Sequence, residues 1–170
     1  GRHAKLRAPV EGNVVGPQGS VSMWIKAVDW EPAEEKFHVF FHATEGGWLQ
    51  LYTHQAGSLM MLTGSDPSTW QAAGADSSKL TKGRWHHVVG TWSPSDIVLY
   101  IDGQNVATVG VEDKHVAKSL SGSFEIGDIP WATGRARPRT TAIDELRIYS
   151  RPIGPVEVRN LYSRVASMLV

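Results

Sequence analysis

The stretch from Lys82 to Val109, KGRWHHVVGTWSPSDIVLYIDGQNVATV, leaves a chain the fewest choices of fold. Trp85–Ser93 and Ile97–Ile101 are rich in β-branched and aromatic residues, which suit a pleated, half-buried surface. Between them, Ser93-Pro94-Ser95-Asp96 supplies turn chemistry: proline presets φ, and serine and aspartate bond their own backbone. Asp102-Gly103 then provides the positive φ that a two-residue hairpin loop demands. Gln104–Val109 reads as the returning strand, so the whole stretch predicts a three-stranded antiparallel meander.

Upstream, Gly1–Pro17 has weak periodicity and predicts an edge strand near residues 13–15. Ser20–Val28 alternates with period two, placing Val21, Met23, Ile25 and Ala27 on one face and Ser20, Ser22, Trp24 and Lys26 on the other. Residues 29–36, DWEPAEEK, form an acidic loop broken by Pro32. In residues 36–43 the alternation sets Phe37, Val39, Phe41 and Ala43 against His38, Phe40 and His42. Glu45-Gly46-Gly47 turns the chain into Trp48–His54, where Leu49 and Leu51 oppose Trp48, Gln50, Tyr52 and His54. Residues 58–63 read as a short apolar strand and residues 64–82 as a looser connection holding Trp70.

After the meander come a polar connection (112–121), a strand (122–127) and a long loop, DIPWATGRARPRTT (128–141). The last strand spans 142–149. From Gly154-Pro155 the period changes to helical, with Val158, Leu161, Tyr162 and Val165 recurring at helix spacing; proline's missing N–H costs nothing in a first turn. Many short strands with turn signals between them predict an all-β, two-sheet antiparallel jelly-roll sandwich closed by one short C-terminal helix. A length of 170 residues suits one domain spanning 1–170.

Lys and Arg total 17 and Asp and Glu total 17, so no global field steers the chain toward nucleic acid or an anionic membrane. No apolar run is long enough to cross a bilayer and no leader pattern opens the sequence, so a soluble unit excised from a larger protein is expected. Cysteine is absent, which excludes a disulfide scaffold and thiolate chemistry. Seven Trp against four Phe is an unusual balance, and Trp is costly to bury whole, so some indoles are expected at a surface.

Two segments resemble a known family. GRWHHVVGTWSPSDIVLYIDGQNVAT is similar to the central hairpin of LamG-like jelly-roll domains of the concanavalin A-like lectin/glucanase superfamily. FEIGDIPWATGRARPRTTAIDELRIYSRPIGPVEVRNLY resembles the family's closing signature, an Ile-Asp-Glu-Leu-Arg-Ile-Tyr strand followed by a short helix. It departs from that pattern at Arg139–Thr141, where Phe-x-Gly is common, and at Pro152-Ile153, where Ala-Leu is usual. The resemblance implies a mostly non-catalytic module that binds glycans or proteins, secreted or at the cell surface, beside catalytic or adhesion domains of the parent chain. It also implies that a structural calcium ion occurs in some members. Asp144 is the position resembling the family's metal-linked aspartate, with Asn13 able to approach it; the lack of a dense acidic cluster argues against the ion here.

Catalysis finds little footing. Glycosidases need paired carboxylates on one face, whereas adjacent Asp144 and Glu145 in a strand point to opposite faces. No Gln-x-His with Tyr-x-Lys lyase pattern and no Gly-x-Ser-x-Gly elbow is present. Binding has two candidate sites. His38, Phe40 and His42 on one strand, with Trp48, Gln50, Tyr52 and His54 on the next, share the non-core parity and mix flat rings with donors and acceptors, as sugars require. The second is Trp131 beside Arg135, Arg137 and Arg139, where an indole and guanidiniums suit an acidic polysaccharide. Trp30 and Trp70 are further loop candidates. Each set also has a structural explanation, rings packed beneath loops and arginines merely solvated. A non-catalytic carbohydrate-binding module recognising a polysaccharide or oligosaccharide is the leading expectation, followed by a protein-interaction domain of laminin G type and by a glycan-cleaving enzyme with an unfamiliar site.

Overall fold

In the computed structural model, residues 6–34, 37–54, 56–127 and 140–168 are described. Strands β1 (Leu6–Pro9), β2 (Gly19–Ala27), β3 (His38–Glu45), β4 (Trp48–His54), β5 (Ser58–Asp66) and β6 (Thr69–Asp76) precede the meander. The meander itself is β7 (His86–Trp92), β8 (Asp96–Ile101) and β9 (Gln104–Gly110). Then come β10 (Ser121–Ile126), β11 (Thr141–Tyr149) and the helix α1 (Pro155–Ala166). They form a six-stranded sheet in the order β1-β10-β3-β4-β5-β6 and a five-stranded sheet in the order β11-β2-β7-β8-β9. Every pairing is antiparallel. The all-β jelly-roll sandwich with one C-terminal helix is therefore what the chain forms.

The inner faces meet through the residues that alternation selects. Val21, Met23 and Ile25 of β2 join Val88, Ile97 and Leu99 on one side and Leu49, Leu51, Leu59 and Met61 on the other in a single core. Asp102 (φ 49°) and Gly103 (φ 80°) make the expected tight turn between β8 and β9.

Strand β2 is buried on both faces, not one. The reason lies at the other end of the chain. Helix α1 lays Val158 and Leu161 on Val89, Val98 and Tyr100, with Ile153 beside them, and so covers the outer face of the five-stranded sheet. Buried Ser20 fixes the approach to that helix: its hydroxyl donates to the Arg151 carbonyl and accepts from the Ile153 N–H, both at 2.9 Å.

Three expectations are corrected. The first strand is Leu6–Pro9, pairing with β10, and residues 11–13 are a turn in which Asn13 donates to the Pro9 carbonyl at 3.0 Å. The stretch 64–82 holds a full strand, β6, whose Ala72-Ala73-Gly74-Ala75 run lacks the branched side chains that mark a strand in sequence. Trp70 is thus a strand residue. Third, β3 carries a bulge: Val39 pairs with Tyr52 and Phe41 with Leu51, so Phe40 is an extra residue. Phe40 and Phe41 both enter the core, and the parity of everything before them reverses.

Candidate functional site

The outer face of the six-stranded sheet carries most of the residues singled out for binding. On β4, Leu49 and Leu51 point into the core while Trp48, Gln50, Tyr52 and His54 lie on the opposite parity. Cross-strand register then builds rows. One row runs His42, Gln50, Leu62, Ala72. Another runs Trp48, Gly64, Trp70, with the two indoles one strand away from the glycine on either side.

This face packs upon itself. Val39, Tyr52 and Leu62 are buried in a small cluster with Phe37, Trp48, Met60 and Ala72 around them. Phe37 stacks on Tyr52 with ring centroids 5.9 Å apart, and His54 meets Phe37 edge-on at 5.1 Å. Burial pushes the Tyr52 phenol up to about 12, because the phenolate would lose its hydration. Gln50 is buried as well, and its Oε1 accepts from Trp48 Nε1 at 3.1 Å. That bond ties the half-buried Trp48 indole along its strand. Tyr52 and Gln50 therefore hold the face together instead of presenting a ring and an amide to solvent.

His38 does not belong to this face. The bulge turns it inward, where it is 1 % exposed and stacks on the buried Trp30 at 3.8 Å. Its Nε2 lies 3.1 Å from Glu34 Oε1. His42 keeps the expected outward parity and is half-buried, as is His54. Trp70 is the large aromatic that the face gives to solvent, at 45 % exposure. Gly64 is what makes room for it: a Cβ there would lie 2.7 Å from Trp70 Cβ and 2.8 Å from the Thr69 carbonyl. The accessible part of the site is thus Trp70, the edge of Trp48, His42 and His54. Trp131, Arg135, Arg137 and Arg139 lie outside the described residues.

Asp144 sits on β11 beside a register shift, exposed, with its Oδ1 accepting the Glu145 N–H at 2.8 Å. Glu145 takes a φ of 51° and its carboxylate pairs with Arg147. Among the described residues no group of three or more His, Asp or Glu side chains could hold a metal ion.

A serine, two histidines and an aspartate converge on the other sheet without forming a triad. Ser22 Oγ lies 2.9 Å from His87 Nε2. Asp102, however, takes the ring of His86 (Nδ1 to Oδ2, 2.8 Å) and the backbone N–H of His87 (2.9 Å), leaving the His87 ring unoriented by it. Ser22 and His87 are each 2 % exposed, so no substrate reaches the hydroxyl. Burial holds the His87 imidazole down at about 4, with Asp102 opposing that effect and Arg147 adding to it.

The family model described as the concanavalin A-like lectin/glucanases superfamily, of laminin G type, matches residues 1–159. The chain belongs to that superfamily. Among solved structures, this lectin-like sandwich is similar to the binding domain of botulinum neurotoxin serotype D, with a TM-score of 0.76, 17 % identity, and 95 % of this chain and 40 % of that one covered. It is also similar to the binding domain of botulinum neurotoxin DC in complex with SialylT (TM-score 0.71, 14 % identity, 95 % of this chain and 40 % of that one). A third similar structure is the same DC domain in complex with rat synaptotagmin II (TM-score 0.71, 13 % identity, 95 % and 40 %). The lectin-like chain spans about 40 % of the length of those structures, and the likeness is one of fold. No curated protein sequence matches it. Among its described residues no helix is long and apolar enough to cross a membrane.

Proposed function

We propose that this superfamily member is a non-catalytic carbohydrate-binding module that takes a polysaccharide on the outer face of its six-stranded sheet. One observation carries the reading: Trp48 and Trp70 stand in one cross-strand row on either side of Gly64, and Trp70 is 45 % exposed. Two strand spacings separate them, roughly 10 Å, so neighbouring sugar rings could each lay an apolar face on an indole. The half-buried His42 stands in the adjoining row, opposite Gln50, whereas His54 pairs with Ser58 at the far end of β4. The fold relatives seen in complex with SialylT and with rat synaptotagmin II support recognition of a glycan or a protein as the class of role. The buried, mis-oriented Ser22–His87 pair favours binding over hydrolysis. Secretion or cell-surface display accords with a polysaccharide target and with the laminin G type.

Electrophoresis of the whole chain through gels holding neutral and acidic polysaccharides tests this. Retardation by at least one polysaccharide is expected, weakened about five- to tenfold in apparent affinity by Trp70→Ala, since a stacked ring contributes about 1 kcal/mol. Migration identical for the parent and for Trp48→Ala and Trp70→Ala on the retarding polysaccharide would refute the sheet face. Silence on every polysaccharide would leave a protein partner, and release of reducing ends would make the chain an enzyme.

A further inference from the structure

A cleft lies on the side of the molecule opposite the Trp48–Trp70 face, where the C-terminal helix meets the five-stranded sheet. It measures about 330 Å³ and is lined by Trp24, Gly83, Arg84, Trp85, Asp102, Tyr162 and Ala166. Ligand pockets run from roughly 300 to 1,000 Å³, so this one suits a single ring with its substituents.

Its walls are aromatic and held. Trp24 and Tyr162 stack with centroids 5.7 Å apart and planes 14° from parallel, and the His87 ring backs both. Tyr162 is pinned against the Asp102-Gly103 turn: a Cβ on Gly103 would lie 3.2 Å from its Cδ1. Trp85 is half-buried, with the Lys26 ammonium 4.9 Å from its ring centroid. Two positions keep the mouth open. Gly83 has nothing within 4 Å of where a Cβ would stand. Ala166, one helical turn beyond Tyr162, projects only a methyl group.

The two charged residues of the lining, Asp102 and Arg84, differ in how they are engaged. Asp102 is the lining carboxylate, yet both its oxygens are engaged, by His86 Nδ1 at 2.8 Å and the His87 N–H at 2.9 Å. Arg84 is exposed and makes no ion pair among the described residues. Its five donors match a carboxylate in bidentate fashion. Lys26 adds a second positive charge behind Trp85. A ligand that fills this cleft therefore needs a flat apolar face for the rings and an anionic group for the guanidinium.

We infer that the Trp24–Trp85–Tyr162 cleft is a binding site for a carboxylate-bearing sugar ring, a hexuronate residue of an acidic glycan, with the ring on Trp85 and the carboxylate on Arg84. The site is separate from the sheet face of the proposed function and does not depend on it.

The test is calorimetric titration of the full chain with β-1,4-linked glucuronate trimer and with cellotriose, which differ in the carboxylates alone. Binding of the uronate trimer and a much weaker response to cellotriose are expected. Arg84→Gln should weaken uronate binding about tenfold, the worth of a charge-assisted pair. Ala166→Leu, which fills the mouth without removing a contact, should weaken it by a similar factor. Raising the ionic strength should weaken it in the parent and much less in Arg84→Gln. Equal affinity for both trimers, or uronate binding retained in both Arg84→Gln and Ala166→Leu, overturns the inference. Uronate binding lost in Trp70→Ala but retained in Arg84→Gln would also overturn it, moving the anion to the sheet face. Absence of uronate binding at millimolar ligand overturns it as well, whatever the sheet face does with other polysaccharides.

Discussion

Protonation of His87 should be one of the steepest acid liabilities of this fold. The imidazole is 2 % exposed, enclosed by Trp24, Tyr162 and Ser22, and among the described residues its Nδ1 has no hydrogen-bond partner. Its value falls from 6.5 in the unfolded chain to about 4 in the folded one, chiefly because burial disfavours the cation. The unfolded state therefore takes the proton first as pH drops. The folded state keeps its full advantage above 6.5, loses it progressively down to about 4, and loses no more below that. Each pH unit in that window is worth about 1.4 kcal/mol, so the total is roughly 3 kcal/mol, a sizeable part of the roughly 5–15 kcal/mol typical of a domain. Urea unfolding at pH 7 and pH 4.5, for the parent and for His87→Gln, measures it. Carboxylates held low by hydrogen bonds, such as Asp66 and Asp76, titrate alike in both proteins and cancel in the double difference. The parent should lose about 2–3 kcal/mol more than the variant on going to pH 4.5. A double difference under about 1 kcal/mol would show that the folded protein accommodates the imidazolium, and the burial argument would fail.

Three further expectations concern single positions. Trp30 is 1 % exposed, donates from Nε1 to Thr141 Oγ1 at 3.0 Å and stacks on His38, so Trp30→Ala should cost about 3–5 kcal/mol and lower the melting temperature by roughly 10 °C in calorimetry; a fall of only a degree or two would contradict the packing. Asp102 accepts from the buried His86 ring and the His87 N–H at a φ of 49°, so Asp102→Ala should destabilise by about 2–4 kcal/mol. Asp102→Asn should cost less, since asparagine tolerates that backbone and keeps one acceptor, and chemical unfolding that ranks the two the other way would refute the turn's role. Gly64→Ala should shift Trp70, whose Cβ lies 2.7 Å from the new methyl. Acrylamide quenching of its exposed indole reports the move, and quenching equal to the parent's would mean that the strand gives way instead.

The meander was legible because each of its turns carries a local reason: Asp102-Gly103 needs positive φ, and the Ser93 side chain closes the β7–β8 turn by bonding Asp96. The C-terminal helix was legible for the same reason, from Gly154-Pro155 and the spacing of Val158 and Leu161. Features decided by partners far away in sequence were not. Strand β6 reads as a loop because its inward residues, Ala73 and Ala75, are small, and only the pairing with β5 makes it a strand. The bulge at Val39–Phe41 leaves no mark in a run where Phe37, Phe40 and Phe41 could face either way, and one extra residue moved His38 from the surface to the core.

The same contrast bears on where a ligand can go. Period-two alternation assigns side chains to faces, but it does not say whether a face is covered, and the two outer faces here are finished differently. On the five-stranded sheet, α1 supplies the cover, so Trp24 is sealed at 4 % exposure and only the rim beside Trp85 and Arg84 stays open. On the six-stranded sheet the described residues include no such helix, and Phe37, Tyr52, Leu62 and Met60 pack laterally on one another. Aromatic content there serves cohesion first. What remains for recognition is the end of the face where Gly64 interrupts the side-chain layer and leaves Trp70 standing clear. A glycine between two tryptophans, not the number of rings on the strand, is therefore the feature that leaves an indole exposed on an otherwise self-packed sheet.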